Sequence, residues 1–296
     1  MKALRWLAVL LSLVLPSAAP ADELRVESEG APIYARQWGA GDVVVVAIPG
    51  GPGLSHDYLE PLQRLAGPTR RLILYDPRGT GRSGLPPSGL DLDAQVADLD
   101  SVRRAAGVER IHVLGHSWGT VVAVAYADAH PTHVASVILV GMGAPTEASD
   151  RASFGRAFAA RKAELVRAGV IAKKVPQIRG DDCMAVFDAV LPVHFFDPRH
   201  PEAWTLPGTY RCSTGQKVKR AVGAWDLRPA LGRLLLPVLL LSGEADANDA
   251  GLAETVRRLP QRRLRTERLA QCGHFPFLEC PDPFFAALDQ FLKQAP

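Results

Sequence analysis

The sequence predicts an α/β fold in which a mostly parallel sheet of eight strands is flanked by helices. Short aliphatic runs alternate with helical segments along the 296-residue chain, the order typical of a parallel sheet covered on both faces. Hydrophobic residues make up 47% of the chain, which is enough for one large core. The alternation breaks between residues 144 and 222, where helical and irregular stretches rich in proline and aromatic residues replace it. We therefore expect a core formed by 22–143 and 223–296 with an inserted helical cap, called the lid, at 144–222.

The N-terminus has the pattern of a secretory signal peptide covering residues 1–21. Lys2 and Arg5 precede an apolar run at 6–15, and the chain then offers an Ala-x-Ala cleavage site before Asp22. The apolar run is too short to span a bilayer comfortably, so we expect no stable membrane anchor after cleavage. Loss of the leader lowers the formal net charge from +3 to +1, which predicts no nucleic-acid partner. The mature protein is expected to be periplasmic or secreted.

The first part of the chain predicts a strand hairpin followed by buried strands and helices. Gly30 joins the first two strands at a sheet edge, and the third strand is a solid β-branched run. The predicted strands are 24–29, 32–37, 43–48 and 71–75, and the predicted helices are 57–65 and 92–106.

The remaining elements surround the lid. The predicted strands are 111–114, 135–140, 234–241 and 263–267, and the predicted helices are 120–129, 153–168 within the lid, 250–259 and 282–293. No internal repeat interrupts this order.

The stretch Gly115-His116-Ser117-Trp118-Gly119 lies between a predicted strand and a predicted helix. A Gly-x-Ser-x-Gly turn in this context is typical of a nucleophile elbow, because a sharp turn there holds the serine hydroxyl clear of the sheet. The flanking positions favour glycine, since a side chain would collide with neighbouring backbone. Ser117 is the predicted nucleophile.

A serine nucleophile needs a base and an acid that orients it, and both lie downstream in the expected order. The strand ending at Ser242 is followed by a loop that contains Asp246, with Glu244 and Asp249 as rival acids. His274 follows the next strand and is the predicted base, whereas His116 is expected to serve packing or hydrogen bonding in the elbow.

The oxyanion formed during acyl transfer needs N–H donors held in place before the reaction. One is expected from the backbone of Trp118, directly after the nucleophile. The other is expected from Gly51, in the glycine-rich loop after the third strand.

The four cysteines are Cys183, Cys212, Cys272 and Cys280, and they allow three complete pairings. An export signal makes disulfides permissible. Proximity along the chain favours Cys183–Cys212 and Cys272–Cys280, although the sequence leaves the pairing open. No Cys-x-x-Cys motif or histidine cluster indicates a metal, and no cofactor is predicted.

These motifs together resemble the α/β-hydrolase superfamily, and within it the proline iminopeptidase group (serine peptidase family S33). The resemblance rests on Gly-Gly-Pro-Gly at 50–53, Asp-Pro-Arg-Gly-Thr-Gly-Arg-Ser at 76–83 and Gly-x-Ser-Trp-Gly at 115–119. It implies an α/β-hydrolase fold with Ser117, Asp246 and His274 as nucleophile, acid and base.

Three features depart from the pattern of that group. Pro49 replaces its usual histidine, His116 replaces a glycine, and the lid lacks an evident tryptophan–glutamate element that contributes to binding the substrate α-amine. Carboxylates available in the lid for that role are Asp181, Asp182 and Glu202, with ordinary surface positions as the alternative.

The sequence thus predicts an exported serine hydrolase acting through an acyl-enzyme on a small molecule or short peptide. An aminopeptidase of proline iminopeptidase type is the first expectation and an esterase is the second. A non-catalytic binding protein on the same fold is the remote alternative. The substrate and the oligomeric state stay open.

Overall fold

The computed structural model describes residues 22–86, 89–177 and 180–295. The predicted signal peptide at 1–21 lies outside these residues. None of the helices in the described ranges has the length and apolar character needed to cross a bilayer.

The predicted sheet is confirmed, with eight strands in the order β1-β2-β4-β3-β5-β6-β7-β8. The strands are β1 (Asp22–Ser28), β2 (Ala31–Gly39), β3 (Val43–Ile48), β4 (Arg70–Tyr75), β5 (Ile111–His116), β6 (Val134–Val140), β7 (Val238–Gly243) and β8 (Leu264–Leu269). β1 pairs antiparallel with β2, and β2 pairs antiparallel with β4. Every other neighbouring pair is parallel, so the carboxyl ends of β3 to β8 share one edge.

The described residues form nine α-helices between and beside these strands. They are α1 (Leu92–Ala105), α2 (Trp118–Ala129), α3 (Glu147–Arg167), α4 (Met184–Asp188), α5 (Cys212–Val222), α6 (Arg228–Arg233), α7 (Asp249–Val256), α8 (Pro276–Glu279) and α9 (Pro281–Gln294). Short 3₁₀ helices lie at Asp57–Leu65, Pro131–His133, Leu191–His194, Pro201–Ala203 and Gln261–Arg263.

The central strands are buried on both faces, as their continuous apolar runs predict. In β3, Val44 and Val46 pack into the cluster that contains α1 and α2 residues, whereas Val45 and Ala47 pack into the cluster that contains α9 residues. Successive side chains of a strand point to opposite faces, so an unbroken apolar run is what a sheet between two helical layers requires.

Three predicted elements differ from the observed ones in helix type or by more than three residues at one end. The predicted helix at 57–65 is a 3₁₀ helix containing Pro61, which has no N–H for an α-helical bond. The lid helix begins at Glu147 rather than 153, because Thr146 Oγ1 accepts the Ser149 N–H and caps it. β7 begins at Val238, after Pro237, rather than at 234.

The turn after β4 is held to α1 by a buried ion pair. Arg78 and Asp98 are 2% and 1% exposed, and Arg78 Nε and Nη2 donate to Asp98 Oδ2 and Oδ1 at 2.7 and 2.5 Å. Arg78 Nη1 also donates to the carbonyl oxygen of Gly89 at 2.5 Å. The arginine of the 76–83 motif therefore anchors the turn to the scaffold rather than facing solvent.

Removing one partner of this pair should destabilise the protein strongly. Asp98→Ala would leave a buried guanidinium without its counter-charge, at a cost of about 3–5 kcal/mol in the free energy of unfolding. Asp282→Asn is the matched control, because Asp282 pairs with Arg64 on the surface at 3.3 Å, where such pairs contribute about 0–1 kcal/mol. Urea denaturation of both variants measures the difference, and equal midpoints would contradict the assignment.

Candidate active site

The turn between β5 and α2 has the geometry predicted for the elbow. Ser117 adopts φ 54° and ψ −121°, a left-handed conformation that is rare for a residue with a side chain. A Cβ on Gly115 would overlap the Gly119 carbonyl, and a Cβ on Gly119 would overlap the Ile48 carbonyl. The Ser117 N–H donates to the carbonyl oxygen of Val140 at 2.9 Å, so β6 supports the turn from behind. Both positions therefore require glycine, because neighbouring backbone carbonyls occupy the space that a side chain would need.

Asp246 and His274 meet beyond the carboxyl ends of β7 and β8. Asp246 Oδ2 lies 2.8 Å from His274 Nδ1, and both residues are buried. Asp246 Oδ1 also accepts the Asn248 N–H at 2.9 Å. Burial alone would raise the pKa of Asp246, but the neighbouring His274 and the Asn248 N–H lower it below its ordinary value. The carboxylate is thus kept ionised against the imidazole.

The two rival acids lie elsewhere in the same loop. Glu244 is exposed and accepts the Gln271 N–H at 3.1 Å, whereas Asp249 pairs with Arg268 at 3.2 Å. Of the three acids that the sequence left open, Asp246 is the one that contacts His274.

A cavity of about 510 Å³ is lined by the predicted nucleophile, the predicted base and the two predicted oxyanion donors. Ser117, Trp118, Gly51 and His274 all line it. Within the described residues, no direct hydrogen bond joins the side chains of Ser117 and His274. Nucleophile–base hydrogen bonds are often long without substrate and shorten in the complex, so this geometry is compatible with the predicted pair.

The loop after β3 presents Gly51 rather than Gly50 as a free donor. The N–H of Gly50 donates to the hydroxyl of Tyr58 at 2.6 Å, so it is already satisfied. Trp118 is the first residue of α2, a position whose N–H has no acceptor inside the helix. Both predicted oxyanion donors therefore lie at the cavity.

His116 is buried and makes two hydrogen bonds, as its predicted role requires. Its Nε2 lies 2.8 Å from the carbonyl oxygen of His274, which can only accept, so Nε2 carries the proton. Its Nδ1 then accepts from the Tyr58 hydroxyl at 2.8 Å. Burial, reinforced by repulsion from His274, lowers the pKa of His116 to about 3, so this imidazole is neutral. Sequence reasoning missed Tyr58, which has no motif around it.

The lid carboxylates proposed from the sequence do not reach the cavity. Asp181 Oδ1 accepts the Ser213 N–H at 2.6 Å, and Asp182 Oδ1 accepts the Met184 N–H at 2.9 Å. Glu202 lies 3.0 Å from His200. Asp182 and Glu202 are bound within their own turns and Asp181 is bound by the start of α5, and none of the three lines the cavity.

Two other lid carboxylates do line the cavity, namely Glu147 and Asp150 in the first turn of α3. Burial raises the pKa of Asp150 to about 6; the Ala144 N–H opposes this rise and the nearby Asp246 charge adds to it. The sequence signal was available in retrospect. Glu147, Asp150 and Phe154 have the i, i+3, i+7 spacing of one helix face, but the helix was predicted to begin at 153, after both carboxylates.

Aromatic rings complete the lid side of the cavity. Phe154, Phe187, Tyr210 and His194 line it, and the His194 ring lies 5.3 Å from the His274 ring. Burial, reinforced by repulsion from His274, lowers the pKa of His194 to about 3, so a neutral ring faces the predicted base. Arg151 and Lys219 add two basic side chains to the lining, and most of the other lining residues are apolar.

A buried cluster of His56, Asp57 and Asp76 has spacing that a metal ion could use, but its atoms already have partners. Asp76 Oδ1 accepts from the His56 N–H and lies 2.7 Å from His56 Nδ1, and Asp76 Oδ2 accepts the Arg82 N–H. The Arg82 guanidinium donates to Asp57 at 2.8 Å and supplies the positive charge. This donor set fits a structural network rather than a cation site.

Both cysteine pairings favoured by chain proximity are observed. Cys183 and Cys212 join two parts of the lid, with Cα atoms 5.7 Å apart. Cys272 and Cys280, with Cα atoms 6.0 Å apart, close a short loop around His274.

Comparisons with known proteins agree with the fold. The profile of the family described as alpha/beta hydrolase fold matches residues 43–281. A proline iminopeptidase of Lactobacillus delbrueckii subsp. bulgaricus is 30% identical over 252 residues, covering 78% of this chain and 83% of that protein. The structure of a proline iminopeptidase-related protein from Thermus thermophilus has a TM-score of 0.71 at 24% identity, covering 94% of this chain and 99% of its own. The structure of an esterase from Exiguobacterium antarcticum has a TM-score of 0.64 at 19% identity, and the match covers 92% of this chain and 98% of the esterase.

Reduction of the Cys272–Cys280 bridge should affect turnover before it affects the fold. The bridge closes the loop that carries His274, whereas the sheet contains no cysteine, so the base should lose its position while the core stays folded. Ester turnover and far-ultraviolet circular dichroism, followed together over increasing dithiothreitol, measure this order. Simultaneous loss of both signals, or free thiols at Cys272 and Cys280 in non-reducing peptide mapping, would contradict it.

Proposed function

The chain belongs to the α/β-hydrolase family, and we propose that it is an exported serine hydrolase with Ser117 as nucleophile, Asp246 as acid and His274 as base. The observation that carries the proposal is the buried 2.8 Å contact between Asp246 Oδ2 and His274 Nδ1, beside a cavity that Ser117 also lines. A carboxylate, an imidazole and an elbow serine that lines a cavity at one sheet edge are the groups that acyl transfer requires.

The proposed reaction proceeds in two halves through an ester on Ser117. His274 Nε2 takes the hydroxyl proton while Ser117 Oγ attacks the substrate carbonyl carbon, and the carbonyl π electrons move to oxygen. The N–H groups of Trp118 and Gly51 bind that oxyanion. Collapse of the intermediate breaks the bond to the leaving group, which takes the proton from His274. Water then repeats the sequence, with His274 as base, and releases the acid and free Ser117.

Asp246 contributes by holding His274 in one tautomer. Its Oδ2 accepts from Nδ1–H, which leaves Nε2 free to accept the serine proton and stabilises the imidazolium that forms. The same carboxylate loop is tied to the end of β6, because Asn248 Nδ2 donates to the Gly141 carbonyl at 2.7 Å. This tie supports the alignment of acid and base.

For substrate, we propose an aminopeptidase of proline iminopeptidase type acting on short peptides. The Lactobacillus relative reported above bears that name, and Glu147 and Asp150 give the lid side of the cavity two carboxylates that can attract a free α-amine. Asp150 is ionised above about pH 6, and an α-amine is protonated below about pH 8. The pair is therefore expected to work between those limits, with 144–222 acting as the lid that admits short chains.

An esterase is the second proposal, and one observation favours it. Glu147 lies 3.5 Å from Arg151, which also lines the cavity and offsets part of the negative charge that an amine would need. Most of the remaining lining is aromatic or aliphatic, which suits a neutral acyl ester.

Export is proposed on two grounds. Residues 1–21 have the pattern of a cleavable leader, and the two disulfides fit an oxidising compartment.

Ser117→Ala should abolish covalent labelling by a fluorophosphonate, because the probe reacts with an activated serine hydroxyl. Ser213→Ala, which removes an exposed lid hydroxyl, is the matched control and should label like the wild type. Intact-protein mass spectrometry measures the adduct. A labelled Ser117→Ala variant would contradict the mechanism, and an unlabelled wild type that stays folded would favour the non-catalytic binding alternative.

Asp150→Asn should raise KM for a proline arylamide by roughly 10–100-fold at pH 7.5, because it removes the charge that attracts the amine. KM for a short acyl ester should change little. In the wild type, KM for the arylamide should rise as pH falls through about 6, where Asp150 becomes protonated, and Asp150→Asn should remove that rise. Asp182→Asn, outside the cavity, should leave KM unchanged.

Initial-rate kinetics over pH 5–8 with both substrates make the measurement. Brisk ester turnover with no arylamide turnover would reject the aminopeptidase and leave the esterase.

A further inference from the structure

One carboxylate outside the proposed triad holds two separate parts of the site together. Glu279 ends α8, within the loop closed by Cys272 and Cys280. Its Oε2 accepts the Gly273 N–H at 2.5 Å. Its Oε1 accepts the N–H groups of Phe196 and Asp197 at 2.8 and 3.1 Å. A single side chain thus satisfies three backbone donors from segments that are far apart in the chain.

These two segments also contact each other directly. We call residues 194–197 the lid strap and residues 272–274 the base loop. The N–H of His274 donates to the carbonyl oxygen of His194 at 2.7 Å. A Cβ on Gly273 would overlap that same carbonyl oxygen and Glu279 Oε2, so the two backbones approach as closely as glycine permits. The position of the strap and the position of the base are therefore mutually dependent.

The lid strap and the base loop also contact each other through aromatic rings, some of which face the cavity. The His194 ring, which lines the cavity from the lid, lies 5.3 Å from the His274 ring. Phe195 and Phe275, the residues next in sequence, lie 5.4 Å apart on the core side. A shift of the strap would therefore move the lid wall of the cavity and the ring of His274 together.

We propose that Glu279 is a positioning residue that couples closure of the lid to the orientation of His274. The proposal rests on the function proposed above, in which His274 is the base. Glu279 acts through backbone N–H groups and touches no substrate. The lid strap and His274 would then move together, so a substrate that holds the lid strap in its closed position also orients the His274 ring.

The chemistry of the side chain explains why a carboxylate is needed. Burial raises the pKa of Glu279 to about 7, although the three N–H donors oppose the rise, so assays at about pH 8 keep the group ionised. An ionised carboxylate accepts on both oxygens, whereas an amide has one accepting oxygen and two N–H donors. Glu279→Gln can satisfy either the strap or the base loop, but it must point N–H groups at the donors of the other. The substitution keeps the size and shape of the side chain but removes its hydrogen bonds either to the lid strap or to the base loop.

The test compares Glu279→Gln with Asp282→Asn, an acid-to-amide change three residues away whose carboxylate pairs with Arg64 instead. Both are assayed on a short acyl ester and a proline arylamide, well below the lowest unfolding midpoint. We expect Glu279→Gln to lower kcat at least tenfold on whichever substrate the wild type turns over, and to raise KM severalfold as the lid wall moves. Asp282→Asn should stay within twofold in both parameters.

Hydrogen exchange supplies a readout that does not depend on activity. Peptides containing the strap and the base loop should exchange faster in Glu279→Gln, while peptides from the sheet stay unchanged. A lowered unfolding midpoint with unchanged kcat and KM would overturn the proposal, as would unchanged exchange in both segments. Failure of the proposed function appears separately, as a wild type without turnover or fluorophosphonate labelling.

Discussion

The site depends on one neutral imidazole that connects three loops from three strands. His116 donates from Nε2 to the carbonyl oxygen of His274 and accepts at Nδ1 from Tyr58, whose oxygen in turn accepts the N–H of Gly50. Each group in this series donates to the next, from Tyr58 to His116 and from His116 to the His274 carbonyl. A protonated His116 would carry an N–H at Nδ1 as well, and that N–H would face the hydrogen of the Tyr58 hydroxyl. Burial prevents that, since it lowers the pKa of His116 to about 3. The loop after β3, the elbow and the base loop therefore keep their relative positions across the physiological pH range.

His116 can connect these loops because the parallel sheet brings them to one edge. β3, β5, β7 and β8 run parallel, so the segments after their carboxyl ends converge although they are distant in sequence. The scaffold beneath is rigid for independent reasons, including two apolar layers and the buried Arg78–Asp98 pair. The lid is inserted between β6 and β7 and contributes the remaining wall of the cavity. Under the proposed function, the reacting groups therefore come mainly from the sheet edge, and the residues proposed to select the substrate come mainly from the lid.

Much of the fold, and the candidate site residues at the sheet edge, could be predicted because local patterns encode them. An unbroken aliphatic run marks a strand covered on both faces, and Gly-x-Ser-x-Gly marks a turn that only glycine-flanked backbone can make. The lid could not be predicted in the same way. Asp181, Asp182 and Glu202 look available in the sequence, yet other groups of the lid bind them. Tyr58 and Glu279 reach the site through tertiary contacts across up to 83 residues, for which no motif exists. Glu147 and Asp150 were missed because the start of their helix was predicted too late.

The distribution of cysteines separates two stages of maturation. All four lie in the lid or around the base loop, and the eight strands contain none. The sheet and its helical layers can therefore form while every thiol is still reduced, leaving a folded scaffold whose base loop and lid are not yet fixed. Oxidation would then fix the lid and the loop that carries His274. If the protein is exported as proposed, these two segments become fixed only after the chain has reached an oxidising compartment.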